Sequence, residues 1–159
     1  MIACYAWTNT QIINVTNARI NLYGEEKADL FIFMGKHMSK ELIAAVQKTG
    51  VYEHVFFIEP ISINYLKLPF GRIRGLRLLF LKQEMQKVYG ALLDKKCKGV
   101  QYSRALIAWF YQDNLFVLDY WDRHTDRLAI TLVDEGTGSY CYNKKQISFP
   151  MFMANSLKS

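Results

Sequence analysis

The chain is poor in residues that break or cross-link a fold. It has three prolines and three cysteines, and Cys4, Cys97 and Cys141 are far apart with no Cys-x-x-Cys pair. That spacing suggests neither a disulfide framework nor a zinc site, and it fits a reducing compartment. No apolar run reaches the ~18 residues of a membrane span. The apolar start MIACYAWTNTQIINV lacks the positive region and small-residue cleavage site of a secretory signal. The expected location is therefore the cytoplasm. Gly-x-Gly-x-x-Gly and Gly-x-x-x-x-Gly-Lys-Ser/Thr are both missing, which argues against nicotinamide-dinucleotide and P-loop proteins. His37, His54 and His124 are scattered without metal-ligand spacing, so no metal is expected and each reads as a structural or surface histidine.

What remains is a folding composition. Hydrophobic residues make up 51% and charged residues 21% of 159 positions, without repeats or low-complexity tracts, and this fits one domain spanning 1–159. Twenty Lys and Arg against 14 Asp and Glu give a net charge of +6 and an attraction to anionic partners. Aromatic residues are not interleaved with the basic ones and no nucleic-acid motif occurs, so nucleic acid is not the expected partner.

Continuous apolar runs alternate with helical patterns. MIACYAW, ADLFIFM, HVFFIEP, ALIAWFY and RLAITLV read as strands. Between them, QIINVTNARINLYG reads as a helix capped by Thr8, Asn9 or Thr10 and stopped at Gly24. KELIAAVQKTG is capped by Ser39, the segment 72–96 is one long helix, and NLFVLDYWDRH is capped by Asp113. Strands that are apolar throughout and alternate with helices predict a parallel sheet covered on both faces: a Rossmann-like, doubly wound α/β fold in three αβα layers. Trp7, Trp109 and Trp121 fall in or beside apolar runs and read as core.

Ligands of such sheets bind beyond the carboxyl ends of the strands. That rule selects Thr8 to Thr10, Gly35 to His37, Glu59, Tyr111 to Asp113, and the segment TLVDEGTGSY at 131–140. By composition alone the last is a strand end, two solvated acids and a glycine turn. Asp134 and Glu135 are adjacent, so in an extended strand they point to opposite faces and cannot share a proton. Gly136 and Gly138 allow a sharp turn or close approach of a ligand. Arg72, Arg74 and Arg77 stand at a helix start, where the dipole disfavours cations. They are either part of a solvated face or a contact for phosphate or anionic lipid.

LVDEGTGSY resembles the Asp/Glu-Asp/Glu-Gly motif of bacterial sialyltransferases, including the lipooligosaccharide and capsular polysialic acid enzymes. YAWTNTQIINVTNAR is similar to their first strand and helix, where a Thr and a Gln-x-x-Asn stretch follow the strand. The layout matches along the chain, but the likeness is specific only at these two places. It implies the N-terminal, acceptor-side half of a GT-B glycosyltransferase. Asp134 would be the general base, with motif support from Glu135, Gly136, Thr137 and Gly138, and with Thr8, Asn9, Thr10 and Gln11 lining the acceptor site. The reaction implied is inverting transfer from CMP-sialic acid, or a related CMP-sugar, to a surface-polysaccharide or lipooligosaccharide glycan. Arg72, Arg74 and Arg77 would hold the protein at the inner face of an anionic membrane.

The family's His-Pro motif, which supports the leaving phosphate, belongs to its C-terminal half and is absent here. The 17 residues after Tyr142 do not make a second nucleotide-binding layer. The expectation is a fragment or short product, inactive alone and open to homo-oligomer formation through an uncovered face. The alternative is a non-catalytic Rossmann-like interaction module in a polysaccharide assembly complex.

Overall fold

The computed structural model describes residues 1–34, 38–61, 74–97, 99–108 and 112–133, with the side chains of 74–78 and 112–114 left aside. Within these residues the chain runs β1 (Ile2–Ala6), α1 (Asn9–Tyr23), β2 (Ala28–Phe33), α2 (Lys40–Lys48) and β3 (His54–Ile58). It continues through α3 (Arg74–Lys96), β4 (Arg104–Ile107), α4 (Gln112–His124) and β5 (Ala129–Leu132). The strands form one sheet in the order β3-β2-β1-β4-β5, with every neighbouring pair parallel. This is the doubly wound, Rossmann-like α/β fold in three layers.

β1 is buried along its whole length, and the two-residue period of its side chains divides the core. Ala3 and Tyr5 join Phe31, Phe33, Ala105 and Ile107 beneath α3 and α4, whose Tyr89, Leu93, Phe116 and Trp121 close that side. Ile2, Cys4 and Ala6 pack with Leu30, Ile32 and Leu106 against Ile12 and Val15 of α1 and Ile43 and Val46 of α2. Each fully buried Ile, Leu or Phe contributes about 1.5–3 kcal/mol, so the apolar runs that mark the strands also fill both core layers.

Local chemistry sets the helix ends. Gly24 takes φ +54, a conformation L side chains rarely adopt, and its N–H bonds to Ile20 O to close α1. Arg19 is buried at the same end, donating to the carbonyls of Gly24 (2.5 Å) and Glu26 (2.7 Å). α4 begins at Gln112, so Asp113 falls inside the first turn instead of capping it; the helix dipole favours an acid there as well. β4 and β5 are shorter than the apolar runs that predict them, and residues 109–111 lie outside the described set. Among the described residues no helix is long and apolar enough to cross a membrane.

Candidate functional site

The strand order reverses at β1. The chain leaves β1 towards β2 and β3, then crosses to β4 and β5 on the other side, so the crevice at the carboxyl ends of β1 and β4 is the switch point. Trp7 to Gln11 lie there. Thr8 is extended (φ −134, ψ 162) and its Oγ1 accepts the Gln11 N–H at 3.2 Å. Gln11, only 1% exposed, turns back so that its Oε1 accepts the Trp7 N–H at 2.7 Å. This is a Ser/Thr-x-x-Glu/Gln capping box whose return bond reaches one residue further back than usual. The indole of Trp7 stacks on Phe33 at 4.6 Å and 3°, binding the ends of β1 and β2 together.

Asn9 makes a second link, its Oδ1 accepting the Ser39 N–H at 2.9 Å. Ser39 caps α2, accepting from Leu42 N at 3.1 Å while its hydroxyl donates to Glu41 at 2.8 Å. Hydrogen bonds from its own backbone N–H and from Ser39 hold the Glu41 carboxyl below its ordinary range. The N-termini of α1 and α2 are thereby fixed to each other on this edge. Their dipoles give it a partial positive character, which no acidic residue offsets in the first turn of α1. Thr8 and Thr10 are exposed there, as are Met34 and Glu59.

Of the residues selected from the sequence, Thr8, Asn9, Thr10 and Gln11 come together. Thr8, Asn9 and Gln11 shape the edge through backbone hydrogen bonds, and Thr10 faces solvent. On the far side of the crevice, the Val133 N–H bonds to Ile107 O at 2.7 Å, carrying β5 to the same edge. Asp134 is the next residue in sequence. Asp134, Glu135, Gly136, Thr137 and Gly138 lie outside the described residues, as do Arg72, Gly35 to His37 and Trp109. Arg74 and Arg77 sit in the opening turns of α3. Among the described residues no group of three or more His, Cys, Asp or Glu is placed to hold a metal ion.

A second polar cluster, at the amino edge, was missed from sequence. Asp29 is wholly buried in β2 and accepts from the Tyr102 hydroxyl, from the His54 backbone N–H at 2.9 Å, and from His54 Nδ1 at 3.1 Å. Burial, then the Asp29 carboxylate, raise the Tyr102 phenol well above its ordinary range. The signal was an acid inside the otherwise apolar ADLFIFM, since a buried carboxylate requires donors. No family model, curated protein or solved structure matches the chain.

Proposed function

We propose that this chain is the acceptor-side half of a sialyltransferase-like, GT-B glycosyltransferase, working with a separate nucleotide-sugar domain. The observation that carries the reading is the path of β5, whose Val133 N–H joins Ile107 at the switch-point edge immediately before the Asp134-Glu135-Gly136 sequence. The capped Thr8–Gln11 turn, the other stretch that carries the resemblance, occupies the facing side of that crevice.

In this mechanism Asp134 accepts the proton of an acceptor hydroxyl while that oxygen attacks the anomeric carbon of a CMP-activated sialic acid. The new C–O bond forms as the bond to the CMP phosphate breaks, so the configuration inverts and CMP leaves with the electron pair. A carboxylate within reach of the hydroxyl contributes about 10²–10⁴-fold. The exposed Thr10 and the N-terminal dipoles of α1 and α2 suit a hydroxyl-rich, anionic glycan.

Two measurements test the reading. Titrating the ¹⁵N-labelled chain with lipooligosaccharide-derived and sialic-acid-terminated oligosaccharides should shift the amides of residues 7–11 and the Trp7 indole. Shifts confined to the opposite edge, or none with any glycan, would overturn the acceptor site. In a protein carrying both halves, Asp134→Ala should abolish sialyl transfer with an unchanged circular dichroism spectrum, and near-normal turnover would refute the base.

A further inference from the structure

The solvent-facing side of α1 is without charge. Between Met1 and Gly24 the only charged side chain is Arg19, which is buried, whereas a surface helix ordinarily turns charged and polar residues to water. The exposed face of α1 carries Ile13, Asn17 and Ile20, with Ile13 47% and Ile20 45% exposed. Their spacing, four residues and then three, is that of a helix–helix seam, and charge depletion is the compositional signal of an interface centre.

α2 lies in the same layer, since its Ile43 and Val46 pack on the side of the sheet that Ile12 and Val15 of α1 cover. Each helix follows one strand and returns to begin the next, so the two run in the same direction. The bond from Ser39 N–H to Asn9 Oδ1 starts them level. Opposite its buried Ile43 and Val46, α2 turns Glu41, Ala44 and Lys48 outward, all of them exposed. That stripe has an acid at one end, a cation at the other and a small residue between them.

We propose that this face binds a second copy of the chain, the two α1–α2 layers packing antiparallel about a two-fold axis perpendicular to the helices. Such a contact requires a face that matches its own reverse. Reversal sets Glu41 opposite the partner's Lys48 and Lys48 opposite the partner's Glu41, with the midpoint of the pairing at Ala44 and Ala45, whose small side chains let the helices approach. Lys40, about 100° round α2 from Glu41, stays at the rim. Because the helices start level, the same axis crosses α1 between Ile13 and Asn17, and Ile13 faces the partner's Asn17.

Electrostatics favour this occupant over others. α1 has no acid in its first turn and no cation in its last, so its dipole is uncompensated at both ends, and an antiparallel copy supplies the opposite pole to each. The layer on the other side of the sheet exposes Lys87, Lys95, Lys96 and Arg123, and in a chain of net charge +6 it would repel its own copy. An anionic surface would find no exposed cation on α1 and a balanced pair on the α2 stripe. The proposal is independent of what the switch-point crevice binds.

Sedimentation velocity of the full chain, from micromolar to near-millimolar concentration, should show a reversible monomer–dimer equilibrium. Ile13→Lys plus Ile20→Lys sets lysines against lysines across the axis and should weaken dimerisation more than about tenfold. Both positions are exposed, so the far-ultraviolet circular dichroism spectrum should stay unchanged. Lys48→Glu should weaken the dimer several-fold by opposing like charges, and adding Glu41→Lys should restore it, because the exchanged pair is again opposite in sign. A chain that is monomeric throughout, a dimer indifferent to the two lysines, or a double exchange that associates no more tightly than Lys48→Glu alone would each overturn the proposal.

Discussion

Asp29→Ala should be among the most damaging single changes in this protein. The carboxylate is completely buried and takes hydrogen bonds from three donors on two other parts of the chain, His54 N–H, His54 Nδ1 and Tyr102 Oη. Alanine would leave the Tyr102 hydroxyl, itself inaccessible, and the His54 N–H without an acceptor, at about 1–3 kcal/mol for each group so stranded. Removing the carboxylate also removes its own desolvation cost, so the net loss should lie in the lower part of the range for two stranded groups, about 2–4 kcal/mol. Against a total stability of about 5–15 kcal/mol, that is a sizeable fraction. Urea unfolding followed by tryptophan fluorescence would measure it. Tyr102→Phe should cost less, about 1.5–3 kcal/mol, by deleting one charge-assisted bond and leaving the carboxylate two donors. His54→Leu should cost under about 1 kcal/mol, because the imidazole is 60% exposed and the backbone N–H survives. A loss below about 1 kcal/mol for Asp29→Ala, or equal losses for Asp29→Ala and His54→Leu, would refute this ordering.

Further outcomes follow from other features of the structure. The Tyr5 hydroxyl is buried without a hydrogen-bond partner, although it lies close enough to Trp121 for the two to interact electrostatically, so Tyr5→Phe should raise the urea midpoint, by about 1 kcal/mol of stability. A clear loss would mean the hydroxyl has a stabilising role. Burial raises the Cys4 thiol to about 12 and the Cys97 thiol to about 11, from an ordinary value of 9.0. Unfolded thiols ionise first, so the native state binds more protons across this window and stability should fall as pH rises above about 9. Cys4→Ala with Cys97→Ala should flatten that fall without abolishing it, since burial raises Tyr5, Tyr52 and Tyr102 too; an unchanged slope would contradict the assignment. Binding to anionic vesicles, measured by co-sedimentation, should drop more than tenfold for Arg72→Glu plus Arg74→Glu, at about 1 kcal/mol per cation lost, and weaken with salt. Salt-insensitive binding would remove the membrane role of these arginines.

The architecture was legible because parallel strands buried on both faces are written as unbroken apolar runs, and IACYA and ADLFIF announce themselves in this way. Gly24 and Ser39 were equally readable, since each does at a helix end what its chemistry favours. The role of Gln11 was harder to see. Thr8 and Gln11 have the spacing of a capping box, but a glutamine behind a strand reads just as well as a ligand contact until its burial is known. Asp29 was passed over because its partners, His54 and Tyr102, lie 25 and 73 residues away and no local pattern joins them.

The central place of β1 also bears on how the chain is made. Ile2 pairs with Ala28 on one side but with Arg104 on the other, so half of the ladder of β1 has no partner until about a hundred further residues, through β4, have been synthesised. During that interval β1 through β3 can assemble with an open, wholly apolar edge along Ile2–Ala6, a surface suited to pairing with the wrong strand of another nascent copy. Slow translation between residues 60 and 104 would prolong that exposure, and a chaperone that shields this edge should raise the yield of folded protein.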